Sequence, residues 1–210
     1  MKICIINGSP KASKSTSELL IEYFMPFIRG NEIITYNACK TDFSEIQFSQ
    51  IQSSEVLIFA FPLYIDSINS HLLRFLIELE KRGFVNKNIN VYCIINNGFY
   101  EGWQNHVAAD IIKNWCKATG LTYGQTLGIG AGEMLPFLKD IPLGHGPNKN
   151  IGMALQKLSC NVLSLKKEKD LFISPNWPRF LWKIQASLSV WYPRAKKNRL
   201  KRKDLKNKVN

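Results

Sequence analysis

Three short segments carry the residue types that could do chemistry. The first, Asn7-Gly8-Ser9-Pro10-Lys11-Ala12-Ser13-Lys14-Ser15-Thr16-Ser17, is crowded with hydroxyls, holds two lysines and runs into a helical pattern. A helix N-terminus offers unpaired backbone N–H groups and the positive end of the helix dipole, so such a loop suits an anion, a phosphate above all. It matches neither G-x-x-x-x-G-K-[ST] nor G-x-G-x-x-G, which disfavours a nucleoside triphosphate or a dinucleotide at this point. Ser15 with Glu18 three residues later is also a capping-box pattern, which needs no ligand. The second segment, Phe61-Pro62-Leu63-Tyr64-Ile65-Asp66-Ser67, is apolar for a strand-to-helix connection. A flat aromatic ligand would explain it, with backbone groups at the edge of a heterocycle and Leu63 and Tyr64 on its face; a buried turn completing the core is the alternative. The third, Asn96-Asn97-Gly98-Phe99-Tyr100, adds amides and two aromatic rings, although Asn-Gly alone announces only a turn.

These segments need a scaffold that delivers them to one place. Ile3 to Ile6 is a continuous apolar run, as expected of a parallel strand buried on both faces. A helix follows from near Ser15, with Leu19, Leu20, Tyr23, Phe24 and Phe27 at helical spacing. Further strands are expected at Glu32–Asn37, Glu55–Phe61, Asn88–Ile95 and Tyr123–Ile129. Helices are expected from Ile68 to Gly83, through Val107 to Trp115, and through Ala154 to Val162. Strand and helix alternate, so the pattern predicts an α/β fold, an open doubly wound parallel sheet of five strands, over residues 1–165. Ligands of such sheets lie beyond the carboxyl ends of the strands, where all three segments fall.

The chain has 210 residues and a formal net charge of +12. Residues 1–165 hold 14 basic and 13 acidic side chains, whereas residues 166–210 hold 14 basic and 3 acidic. The body is therefore almost neutral and the excess sits in a C-terminal tail, which excludes a nucleic-acid reading of the body on charge. A content of 45% hydrophobic residues excludes a disordered chain. Five scattered cysteines, at 4, 39, 93, 116 and 160, form no C-x-x-C pair and suggest no zinc or iron–sulfur site, in keeping with a reducing compartment. The short apolar run at the start is no signal-peptide core and the longest, Val56 to Ile65, is half a membrane span, so a cytoplasmic location is expected.

With these motifs in order, Asn-Gly-Ser-Pro-Lys with Ser15-Thr16, Phe-Pro-Leu-Tyr-Ile-Asp-Ser and Asn-Asn-Gly-Phe-Tyr, the chain resembles the flavodoxin-like flavoproteins related to NAD(P)H-dependent FMN reductases and quinone reductases. The resemblance spans residues 1–165 and implies strand order 2-1-3-4-5 and bound FMN. By it, Ser9, Lys11, Ser15, Thr16 and Ser17 would hold the FMN phosphate, Pro62, Leu63, Tyr64 and Ile65 would line the isoalloxazine ring, and Asn96, Gly98, Phe99 and Tyr100 would close its other side. The clustered cysteines of related iron–sulfur flavoproteins are missing. Hydride would pass from NAD(P)H to the flavin and electrons onward to a quinone, flavin or other small acceptor, with no catalytic side chain, since the cofactor supplies the redox chemistry. His71, His106 and His145 are then not needed as bases. Gly128-Ile129-Gly130-Ala131-Gly132 is read as a small-residue bend, because Glu133 stands where a dinucleotide fingerprint needs its last glycine.

Beyond Ser174, Trp177, Phe180, Leu181, Ile184, Leu188 and Trp191 recur every three or four residues, followed by a basic run from Lys196 to Lys208. The stripe suits packing on the chain's own domain or on a second copy, giving a homo-oligomer such as a dimer. With the positive charge beside it, residues 174–210 could also lie on an anionic membrane surface. No recognition motif accompanies the basic run, so nucleic acid is not expected as a partner. Two rivals to the enzyme remain: an electron carrier of the flavodoxin type, and a membrane-surface or nucleic-acid adaptor that keeps the fold without flavin.

Overall fold

The computed structural model describes residues 1–11, 14–39 and 43–206; Ala12 and Ser13 of the first loop and Lys208 of the basic run lie outside the described residues. The chain divides into two compact units, Met1–Pro175 and Asn176–Asn210.

The first unit alternates strand and helix: β1 (Lys2–Asn7), α1 (Thr16–Phe24), β2 (Glu32–Asn37), α2 (Glu45–Gln52), β3 (Val56–Pro62), α3 (Ser70–Arg82), β4 (Asn90–Asn96), α4 (His106–Thr119), β5 (Thr122–Ile129), α5 (Lys149–Leu163) and β6 (Leu171–Ile173). All strand pairs are parallel. Successive residues of a strand face opposite sides of a sheet, and the two cores follow that alternation. Cys4, Ile6, Leu57, Phe59, Phe61, Val91, Cys93 and Ile95 pack with Leu72, Leu76, Ile112 and Trp115 of α3 and α4. Ile3, Ile5, Val56, Ile58, Ala60, Tyr92 and Ile94 pack with Leu20, Phe24, Leu155 and Leu158 of α1 and α5. The central strands are buried on both faces, which is why they read as unbroken apolar runs.

The sheet order is β2-β1-β3-β4-β5-β6, so the expected five-stranded 2-1-3-4-5 sheet is corrected to six strands. Leu127, Gly128 and Ile129 pair with Leu171, Phe172 and Ile173. The three residues of β6 are too few for a periodic signal. Asp170 anchors their entry, its Oδ1 accepting from the Thr126 N–H (2.8 Å) and the Tyr123 hydroxyl (2.7 Å). The expected border at residue 165 therefore falls inside the first unit, which runs on to Pro175 because the sheet needs β6. The unexpected α2 is mostly polar and buries only Phe48 and Ile51, too little for a helical stripe, yet it opens with a capping box between Ser44 and Gln47.

The second unit contains α6 (Arg179–Ala186), a π-helical turn (Ser187–Trp191), α7 (Tyr192–Lys197) and a 3-10 turn (Arg202–Lys206).

Candidate functional site

At the carboxyl edge of the sheet, the loops after β1, β3, β4 and β5 enclose a cleft of about 280 Å³. Ser9, Lys11, Ser15, Thr16, Ser17, Pro62, Leu63, Tyr64, Ile65, Asn96 and Gly98 line it, together with Asn97 and Glu133. Residues as far apart in sequence as Ser9 and Glu133 are thus gathered by strand order: β1, β3, β4 and β5 are successive neighbours, and their loops leave on one side.

The start of the first loop is fixed by close backbone packing. Gly8 N–H donates to the Ala60 carbonyl (2.8 Å), and a Cβ on Gly8 would stand 2.9 Å from both Phe61 and Leu72, so no larger residue fits. Asn69 Nδ2 donates to the Gly8 carbonyl (2.6 Å) while its Oδ1 accepts from the Leu72 N–H (3.1 Å), tying the loop to the N-cap of α3. Ser9 Oγ accepts from the Lys11 N–H (3.2 Å).

The capping box at α1 is formed: Ser15 Oγ accepts from the Glu18 N–H (3.1 Å), and the Ser15 N–H donates to the Glu18 carboxylate (3.4 Å). Capping and anion binding are compatible here. A serine oxygen that accepts one bond keeps its own O–H to donate, and the Thr16 and Ser17 N–H groups, in the first turn, have no acceptor within their helix. Thr16 Oγ1 reaches the Gly132 carbonyl only at 3.4 Å, a weak bond that a better acceptor can replace. Ser17 differs. It is almost fully buried and donates to Asn96 Oδ1 (3.1 Å), which makes it a brace between α1 and the end of β4.

In the second loop, the Leu63 N–H donates to the Asn96 carbonyl (2.7 Å), and Tyr64 and Ser67 exchange two backbone bonds of 2.9 Å around Ile65-Asp66. Both turn residues have positive φ, 47° and 54°. Such a turn favours Asn or Gly, and a β-branched residue there is strained. Ile65 is nevertheless 98% exposed at the cleft's rim. Lys14 (φ 53°) and Ala131 (φ 52°) share this conformation in the adjoining loops, so four of the six non-glycine residues with positive φ among the described residues cluster at this edge. Backbone strain of this kind concentrates where a ligand is gripped.

The third and fifth-strand loops interlock through backbone: Asn97 N–H to the Ile129 carbonyl (3.0 Å), Gly132 N–H to the Asn97 carbonyl (2.7 Å), and Ala131 N–H to the Phe99 carbonyl. The Gly128–Gly132 bend is explained by this approach, since a Cβ on Gly130 would stand 2.1 Å from the Tyr100 carbonyl oxygen. Phe99 and Tyr100 are not among the residues lining this cleft; the Phe99 carbonyl accepts from the Ala131 N–H, and the Tyr100 carbonyl packs against Gly130. Asn97, absent from the expected set, is 3% exposed, donates from Nδ2 to the Glu101 carbonyl (3.1 Å), and has a buried Oδ1 with no hydrogen-bond partner. Glu133 also went unforeseen. Its carboxylate lies 3.7 Å from where a Cβ of Gly98 would be, so that glycine leaves room for it and the cleft carries a negative group opposite in sign to Lys11. Nothing in the glycine-rich spacing around Glu133 marks it as a lining residue.

A larger depression of about 410 Å³ between α1, β2 and α2 brings Glu18 and Glu22 together, a pairing unsuited to phosphate. The histidines stand apart from the cleft lining; the His106 ring stacks on Trp103 at 4.7 Å.

No protein-family model matches the chain, and no curated protein matches it. Solved structures do. An FMN-dependent NADH-azoreductase from Bacillus anthracis, solved with FMN, is 14% identical, with a TM-score of 0.56 over 79% of this chain and 99% of its own. The flavodoxin of Streptococcus pneumoniae TIGR4 is 12% identical, TM-score 0.57, over 79% of this chain and 99% of its own. RosB, solved with a bound 8-demethyl-8-formylriboflavin-5'-phosphate intermediate, is 14% identical, TM-score 0.56, over 90% of this chain and 86% of its own. At these identities the likeness shows the fold alone, and the fold of this chain is flavodoxin-like.

Proposed function

We propose that the cleft binds FMN and that the chain is a flavin-dependent oxidoreductase, taking hydride from NAD(P)H and passing electrons to a quinone, a flavin or another small acceptor. One observation carries this reading. A hydroxyl- and lysine-bearing helix N-terminus and an apolar, strained turn meet in a single cleft at the carboxyl edge of a doubly wound sheet, the place where such folds take their ligands.

The residues fit the group. Lys11, the Ser9, Ser15 and Thr16 hydroxyls and the first-turn N–H groups of α1 supply cationic and donor partners for a phosphate. Pro62, Leu63, Tyr64 and Ile65 supply a face for a flat ring. The unpartnered Asn97 Oδ1 is an acceptor for a heterocyclic N–H, and an orphaned buried acceptor calls for such a partner. Ser17 and Asn96 brace the two halves of the site.

When bound, FMN supplies hydride acceptance and electron delivery. The protein's part is to hold the ring between loops, to anchor its phosphate, and to leave one side open for the two substrates in turn. Exposed Tyr64 and Ile65 at the rim give those substrates an apolar edge to pack against. The neighbours solved with FMN or a riboflavin phosphate derivative support flavin as the ligand class.

The test is purification without added cofactor. A yellow protein that releases FMN on denaturation, and then oxidises NADH or NADPH only when a quinone or free flavin is present, meets the proposal. FMN without nucleotide turnover would make it an electron carrier, and a colourless protein that ignores FMN would remove flavin altogether.

A further inference from the structure

We propose that the second unit docks on an anionic lipid surface, with one face of α6 and the turn after it set into the headgroup region and the basic segment around it held by lipid charge. No residue of α6 is buried. Phe180, Ile184, Leu188 and Trp191, spaced by four, four and three, are between 51% and 63% exposed. Spacings of three and four keep side chains on one helical face. The π-helical turn Ser187–Trp191, beside which Ser187 Oγ donates to the Lys183 carbonyl (2.8 Å), adjusts the winding where the last two of them stand.

Charge identifies the occupant. Residues 176–210 hold eleven basic side chains and one acidic, Asp204. The carboxylate of Asp204 is turned onto the chain's own backbone, accepting from the Lys201 N–H (2.7 Å). Arg202 lies over the Tyr192 ring at 4.3 Å, which folds the basic end back beside α7. A nucleic acid would satisfy the cations but leave four large apolar side chains in water. A second copy would cover the apolar face but bring two strongly positive segments together. An anionic bilayer surface satisfies both at once, the arrangement of an interfacial helix with a polybasic flank. Among the described residues no helix is long and apolar enough to cross a membrane, so the mode is to lie on the surface.

The experiment is co-sedimentation of the full chain with vesicles of phosphatidylcholine alone or mixed with phosphatidylserine, across a salt series, with single-stranded RNA in parallel. The expected result is binding to the mixed vesicles at least about tenfold tighter than to the neutral ones, weakening as salt rises. Tryptophan emission should shift to the blue on binding, and the shift should shrink in Trp191→Phe. Ile184→Glu with Leu188→Glu should abolish sedimentation while circular dichroism and thermal midpoint stay unchanged. Equal binding to both vesicle types, no binding to the mixed vesicles, RNA binding indifferent to the double variant, or self-association cured by it would each overturn the proposal. Vesicle binding requires no flavin, so this outcome is independent of the oxidoreductase reading.

Discussion

Ser17 Oγ donates to Asn96 Oδ1 across 3.1 Å, joining the first turn of α1 to the last residue of β4. The two residues are 79 positions apart and both buried. Ser17→Ala leaves the asparagine oxygen without that donor, and should cost about 1–2 kcal/mol in urea unfolding. It should also weaken FMN binding without touching the phosphate donors, because the loops on either side lose their brace. An unchanged midpoint and unchanged affinity would show that the bridge does neither.

Ile65 holds a positive φ of 47° while its side chain stands exposed at the cleft's rim. Placing a non-glycine residue in the left-handed region costs about 1–2 kcal/mol, and Asn tolerates it better. Ile65→Asn should therefore raise the thermal midpoint while lowering affinity for FMN, since the apolar rim is lost. A variant with lower stability, or with equal affinity, would contradict a ligand role for this turn.

Asn69 serves two elements, capping α3 and holding the Gly8 carbonyl at 2.6 Å. Asn69→Ala should cost about 1–3 kcal/mol, and Asn69→Asp should keep the cap yet release the loop, since a carboxylate cannot donate to Gly8. Flavin affinity falling in both variants, with stability falling chiefly in the first, is the expected split.

How much of this was legible beforehand varies with the physical signal. Buried parallel strands such as Ile3–Ile6 and the Val56 run show as apolar blocks, and the turn chemistry between them marks the cleft. Eleven of the thirteen expected site residues line it. What was hidden is of two kinds. β6 and α2 bury too few side chains to leave a pattern, being fixed instead by Asp170 and by the Ser44 cap. Phe99 and Tyr100 stand outside the cleft lining, and the Phe99 carbonyl ties the β4 and β5 loops together, a backbone use that leaves no mark on residue type. Glu133 and Asn97 reach the cleft through the fold-back of the β5 loop onto the β4 loop, a tertiary fact.

Alkaline stability follows from the buried thiols and phenols. Burial raises Cys4 and Cys116 from an ordinary 9.0 to about 12 and Tyr92 from 10.0 to about 12, and raises Cys93 and Tyr123 as well. An unfolded chain releases these protons from about pH 9, while the folded chain holds them until about 12. Fewer protons on the unfolded state means that stability falls with rising pH across that window and is fully present below it. The urea midpoint should drop steadily above about pH 9, less steeply in Cys116→Ala. In the native state, thiol reagents should label exposed Cys160 first and Cys39 more slowly, with Cys4, Cys93 and Cys116 reacting only on unfolding.

The most direct measurement is a fluorescence titration of the flavin-free protein with FMN and with riboflavin, for the native chain and for Lys11→Met with Thr16→Ala. FMN should bind at least about tenfold more tightly than riboflavin, the difference a charge-assisted phosphate contact supplies, and the double variant should bring the two ligands together by weakening FMN alone. Equal affinity for both ligands in the native chain, or no quenching with either, would contradict a phosphate-anchored flavin in this cleft.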